Sequence, residues 1–171
     1  MSTHRRPEVQ TAAEIRLVVA ESAAQLDQTR EIFRDYAASL HIDLCFQNFD
    51  AELRDLPGDY AAPLGYLLLA LVNDKLAGCG ALRPIGDVDY ANACEMKRLY
   101  VRPAFRSLGL GRLLAQALFD EAQRSGYSVM LLDTLDEMEA ARSLYGSLGF
   151  TEIPPYYFNP IAGAHYLKAD L

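Results

Sequence analysis

Cysteine is scarce in this chain. Cys45, Cys79 and Cys94 are odd in number and lack CxxC spacing, which argues against a disulfide framework or a zinc site. Cys79 and Cys94 stand inside apolar runs, where a small thiol packs as a hydrophobe. Positive charge is also short: 16 Lys and Arg face 23 Asp and Glu, for a net charge of -7. Binding nucleic acid requires a basic footprint, so no nucleic acid is expected as the main partner. No run approaches the roughly 18 uninterrupted apolar residues of a membrane-spanning helix. Residues 1–13 are polar and lack the apolar centre of a secretion signal. The expectation is therefore no membrane partner and a cytoplasmic location. Repeats, low-complexity tracts and Pro/Gly/Ser linkers are missing as well. The chain reads as a flexible tail over 1–13 and one domain over 14–171.

What is present suffices for a sizeable core, with 51% of the 171 residues hydrophobic. Residues 14–20 have the content of a strand. A helix follows from about Ser22, with Leu26, Ile32, Phe33, Tyr36 and Leu40 at helical spacing. Residues 42–56 leave room for a second, shorter helix. Two apolar runs, 65–72 and 75–85, flank Asn73-Asp74 and read as a hairpin. Residues 91–101 form another strand candidate. The clearest helix spans 110–124, with Leu110, Leu113, Leu114, Ala117, Leu118 and Ala122 in one stripe and Gly126 at its C-terminal end. Residues 128–132 read as a strand buried on both faces. Asp136 is the expected cap of a helix running to about Leu148 and closed by Gly149. Strand material follows at Ile153 and at 165–171. The order β-α-α-β-β-β-α-β-α-β-β implies an α/β or α+β fold with a mixed sheet.

Residues 95–150 carry the chemistry. A strand ending Leu99-Tyr100-Val101 leads into Arg106-Ser107-Leu108-Gly109-Leu110-Gly111-Arg112 and directly into the strong helix. A glycine-bearing loop that becomes a helix N-terminus leaves backbone N–H groups free and aimed together, with the dipole's positive end behind them. That arrangement suits phosphate or pyrophosphate; the bland alternative is an ordinary turn before a helix. A nucleoside-triphosphate loop would need Gly-Lys-Ser/Thr where Gly111-Arg112-Leu113 stands. The dinucleotide fingerprint matches at Gly109 and Gly111, with Asp133 near the place of a ribose-binding acid, but its third glycine is Leu114.

Three pieces together, Glu95 to Val101, Arg106-x-x-Gly109-x-Gly111, and Ala141-Arg-Ser-Leu-Tyr145-Gly-Ser-Leu-Gly-Phe150, resemble the core of the GNAT acyltransferase superfamily. The resemblance covers nearly the whole domain. It implies a single-domain α/β (α+β) fold with a mixed, mostly antiparallel central sheet flanked by helices. It implies an acetyl-CoA-dependent N-acetyltransferase that joins an acetyl group to a primary amine by direct attack in a ternary complex. Leu99, Tyr100 and Val101 would offer a strand edge to the acetyl-pantetheine arm. Ser107, Leu108, Gly109, Leu110, Gly111 and Arg112 would hold the pyrophosphate, with Arg106 starting the loop. Tyr145 would protonate the leaving thiolate, against the alternative of a packing tyrosine. Glu95 is the candidate base; the alternative is an ion pair with Lys97, Arg98 or Arg83. It is expected on one strand face with Lys97, Leu99 and Val101. Where the family often has Asn seven residues before the tyrosine, this chain has Met138, so Thr134 is the candidate replacement contact.

The expected acceptor is a small-molecule or peptide amine, with Tyr36, His41, Phe46, Tyr156 and Asn159 near its side of the cleft; the alternative for the 154–160 loop is a rigid proline-rich connection whose aromatics cover the core. His41 reads equally as a helix-end surface residue. No metal site is expected, and a homodimer is compatible with the sheet domain. The competing class is a non-catalytic acyl-CoA-binding or sensor domain, which would need the loop but not Tyr145.

Overall fold

The computed structural model describes residues 11–135 and 138–171, the side chain of Phe46 excepted. Most of the expected tail lies outside the described residues. The elements are β1 (Ile15–Val19), α1 (Ala23–Leu40), α2 (Phe49–Asp55), β2 (Tyr66–Val72), β3 (Lys75–Ile85), β4 (Ala93–Val101), α3 (Leu110–Arg124), β5 (Val129–Leu135), α4 (Glu139–Ser147), β6 (Thr151–Ile153) and β7 (Ala164–Asp170). This is the order expected from the sequence. The seven strands form one sheet, β1-β2-β3-β4-β5-β7-β6, antiparallel everywhere except between β4 and β5.

Local signals account for the elements. Ser22 caps α1 in a reciprocal capping box with Gln25. Asn73 and Asp74 both take positive φ, +48° and +63°, the backbone that a two-residue hairpin between right-twisted strands requires. Alternation along β2 sends Leu68, Ala70 and Val72 to a core beneath α3 and α4, and Leu67 and Leu69 to a core beneath α1 and α2. On α3, Leu110, Leu114, Ala115, Leu118 and Ala122 are buried, while Leu113 turns outward at 44% exposure. Leu113 therefore leaves the expected stripe and Ala115 joins it. The helix lies close to the sheet because Gly78 and Gly80 face it. A Cβ on Gly80 would come within 2.8 Å of Leu118 Cδ1.

Three elements are sharpened or shifted relative to expectation, the second helix being present as expected. The second helix occupies only Phe49–Asp55, preceded by a single 3₁₀ turn at Cys45–Gln47. β5 runs three residues further than its apolar stretch, through Asp133, Thr134 and Leu135, because β7 pairs with it along its whole length. Asp136 lies outside the described residues, and the N-cap position of α4 is held by Met138 without a side-chain cap.

The fourth difference matters for function. β4 carries a bulge: Ala81 pairs with Lys97 but Cys79 pairs with Tyr100, so two steps on β3 meet three on β4. Arg98 absorbs the extra residue at φ +61°. The bulge flips the alternation. Glu95 and Lys97 therefore do not share a face with Leu99 and Val101; those two pack with the α3 core, while Tyr100 packs with the α1 core.

Candidate active site

β4 and β5 are parallel neighbours only from Ala93↔Val129 to Glu95↔Leu131. Beyond that last pair they separate, leaving the β4 edge from Met96 to Val101 without a partner on the β5 side. Parallel strands exchange evenly spaced hydrogen bonds, so a gap of this length exposes several donors and acceptors to whatever enters it. A cavity of about 550 Å³ fills the opening. Its walls include Leu99, Tyr100 and Val101 from β4, Gly109 and Gly111 from the loop, and Leu144 from α4.

The loop is shaped for an anion. Ser107 and Gly109 both take positive φ, +77° and +74°, and Gly109 is the N-cap of α3 with no side-chain cap. The first α3 hydrogen bond to Gly109 O comes from Leu113 N, so the intervening N–H groups have no helical acceptor. Ser107 and Leu108 are exposed; Leu110 is buried beneath the loop. Arg106 is exposed and donates from Nε to Val101 O at 3.2 Å, tying the loop to the end of β4. Arg112 reaches Ser147 Oγ on α4 at 3.0 Å. A Cβ added to Gly111 would meet nothing closer than Leu144 Cδ2 at 3.8 Å, an ordinary contact. The folded chain itself has room for a side chain there, and that room belongs to the cavity. The unpaired strand edge, the open amides and this space fit an acyl-CoA.

A smaller, deeper cavity of about 50 Å³ adjoins the first and shares Tyr36, Leu40, Leu99, Leu135 and Met138 with it. Tyr145 faces this inner space and is only 6% exposed. Burial raises its phenol pKa well above the ordinary value of 10, with smaller contributions from Tyr36 and Asp133. Its hydroxyl makes no hydrogen bond among the described residues. Tyr36, across the space, is pushed up to about 12, chiefly by burial. Thr134 also lines it, but its hydroxyl points to Met138 Sδ at 3.7 Å.

Of the two roles expected of Glu95, the ion pair is realised. The side chain is 2% exposed. Oε1 accepts from Arg83 Nε and Nη2 at 2.9 and 2.8 Å, and Oε2 accepts from Tyr156 at 2.6 Å. It lies outside both cavities just described, in the wall of a third, about 380 Å³, together with Gln47, Arg83, Lys97, Tyr156 and Tyr157. Gln47 and Lys97 also face the inner cavity, so they stand between the two. Asn159 donates to Asp133 Oδ2 at 3.2 Å, and Tyr157 donates to the same oxygen. His41 is an exposed helix-end residue at φ +53°, and the Phe46 side chain lies outside the described residues.

Sequence reasoning missed Asp133, Lys97 and Gln47 as cavity residues. The strand gap opens Lys97 and Asp133 to the cavity and the 3₁₀ turn before α2 brings Gln47, and neither leaves a periodic signal.

Residues 26–150 match the acetyltransferase (GNAT) family. The chain belongs to that family. It is 41% identical to an uncharacterized N-acetyltransferase of Schizosaccharomyces pombe, over 85% of this chain and 88% of that one. Its fold matches a GNAT acetyltransferase from Staphylococcus aureus, with a TM-score of 0.73 at 19% identity over 92% and 99% of the two chains. A putative acetyltransferase from Salmonella typhimurium, solved with its cofactor acetyl-CoA, matches with a TM-score of 0.63 at 24% identity over 91% and 93%. The fold class read from the sequence is thus the family's, and this GNAT protein is an acyltransferase. Among the described residues no helix is long and apolar enough to cross a membrane, and no cluster of His, Cys, Asp or Glu is arranged to hold a metal ion.

Proposed function

We propose that the chain uses acetyl-CoA to acetylate a primary amine by direct attack within a ternary complex. The observation that carries this reading is the continuous opening between β4 and β5, which runs from the exposed amides of the 107–112 loop to the hydroxyl of Tyr145. Acetyl-CoA supplies an activated acetyl group as a thioester. The loop amides of Ser107 to Arg112 hold its pyrophosphate with the α3 dipole behind them. The unpaired edge at Leu99, Tyr100 and Val101 receives the pantetheine arm by strand-like hydrogen bonds, and a backbone N–H there polarises the carbonyl.

The amine nitrogen forms the new C–N bond as the C–S bond breaks. The amine attacks in its neutral form, an ammonium first giving one proton to solvent; Tyr145 then gives its proton to the sulfur and the attacking nitrogen loses one as the amide forms, so the balance closes. Asp133 is placed to receive the amine's proton; it lines the same cavity as Tyr145, and Tyr157 and Asn159 fix only one of its oxygens. Glu95, held at both oxygens, positions Arg83 and Tyr156. Thr134 supports α4 through Met138 and is a weaker cofactor contact than the loop. A binding-only domain would need the cleft but not a tyrosine hydroxyl left open in its depth.

Calorimetric titration with acetyl-CoA, CoA and NADH tests the reading. Binding of the first two alone is expected. Binding of NADH, or of none, overturns it.

A further inference from the structure

Lys97 on β4 and Asp133 on β5 each lie two residues past the last strand pair, Glu95↔Leu131, on the same face of the sheet. In a continuous parallel ladder they would be cross-strand neighbours and would neutralise one another. The separation of the strands prevents this. Both line the small cavity that holds Tyr145, yet no ion pair joins them, and neither has an ion-pair partner elsewhere among the described residues. Arg98, the other cation lining this cavity, is matched by Glu52, and Arg83 in the adjoining cavity is matched by Glu95. Among the described residues Lys97 has only the amide oxygen of Gln47, at 3.3 Å.

Resting on the N-acetyltransferase reading above, we propose that the acceptor is a small zwitterion, an amino acid or close analogue whose amine sits against Asp133 and whose carboxylate sits against Lys97. One cation and one anion, each half-buried and held apart across a cavity, carry a desolvation cost that a ligand bearing both opposite charges offsets. Burial lowers Lys97 from its ordinary 10.5 to about 8, although Glu95 partly offsets the effect. A carboxylate against it would restore the charge. The adjoining 380 Å³ cavity, which shares Gln47 and Lys97 with the inner one, gives the acceptor's side chain a place between Tyr156, Tyr157 and Ile85. A polyamine would bring a second cation against Lys97. A peptide N-terminus would bring an amide where the carboxylate belongs.

The test measures CoA release with acetyl-CoA and three matched sets of acceptors: the twenty amino acids, their carboxamides, and the corresponding decarboxylated amines. The expected result is turnover of one or more amino acids with kcat/KM on the order of 100-fold above the matched amide and amine. Lys97→Met should close that gap by raising KM for the acid, and Lys97→Arg should restore part of it. Acetyl-CoA affinity reports that each variant is folded. Equal turnover of amides or amines overturns the zwitterion and leaves the N-acetyltransferase standing. Acetyl-CoA binding with no amino acid acetylated also overturns it. Loss of acetyl-CoA binding in the unaltered protein removes the reading beneath it.

Discussion

Glu52 on α2 and Arg98 in the β4 bulge form a two-point ion pair, Nε to Oε2 at 2.9 Å and Nη2 to Oε1 at 3.2 Å. Tyr60 donates to Glu52 Oε1 at 2.8 Å, and Arg98 also reaches Gln47 at 2.8 Å and lies over the Phe49 ring. A left-handed non-glycine residue costs roughly 1–2 kcal/mol, so the bulge is held by what Arg98 binds. That clamp sets where β4 turns away from β5, and hence the shape of the site.

Replacing Glu52 with Ala strands the Arg98 guanidinium, whose side chain is 2% exposed. A stability loss of about 3–5 kcal/mol is expected, read as a lower urea midpoint at unchanged slope. Burial raises the Glu52 carboxyl, but its hydrogen bonds and charge interaction with Arg98 outweigh this and leave it below its ordinary 4.5. Its contribution is therefore present above that pH and lost as pH falls through the lowered value. Glu52→Ala should flatten acid unfolding in that range; an unaltered acid limb would mean the pair contributes nothing.

The elements were legible because the sequence patterns them locally. The 110–124 stripe, the Asn73-Asp74 turn and the glycines at 109, 126 and 149 each specify a local backbone, and the structure follows them. The glycine-bearing turn into α3 was legible for the same reason. The bulge was not, since one extra residue inside ANACEMKRLYV leaves the strand's apolar content unchanged while turning Leu99 and Val101 to the other face. Asp133 reads as the polar end of a strand until β7 extends β5 past it and β4 leaves it unpaired. Both misses concern long-range pairing, which periodicity in one strand does not encode.

Gly111 separates the demands of the fold from those of the ligand. A methyl there makes only an ordinary contact with Leu144, and alanine is the better helix former by up to about 1 kcal/mol. Gly111→Ala should leave the melting temperature unchanged or raise it while weakening CoA binding. Gly111→Val should abolish CoA binding. Tight CoA binding by the valine variant would refute the loop assignment.

The Tyr145 hydroxyl has no hydrogen bond among the described residues, so Tyr145→Phe should change stability by less than about 0.5 kcal/mol. Loss of a general acid should lower kcat by roughly 100-fold or more without altering acetyl-CoA affinity. Because burial raises this phenol far above 10, it keeps its proton throughout the accessible alkaline range. The variant should therefore be slower at every pH and not merely shifted along the pH axis. An unchanged kcat would remove the acid role.

Lys97 gives the opposite sign from Glu52. Its folded pKa is about 8 against an ordinary 10.5, lowered first by burial and then by Arg98 and Arg83, with Glu95 and Glu52 opposing. Between those values the unfolded chain binds the proton and the folded chain does not, so stability rises with pH. The full difference is at most about 3 kcal/mol. The thiols of Cys79 and Cys94, raised by burial in the folded chain, ionise near pH 9 in the unfolded chain and pull the other way, so the Lys97 contribution is read as a difference between two proteins that share them. Urea unfolding at pH 7, 8, 9 and 10 should show the unaltered protein gaining stability relative to Lys97→Met as pH rises. Parallel profiles would mean that Lys97 keeps its charge in the folded chain and is better solvated than the cavity walls indicate.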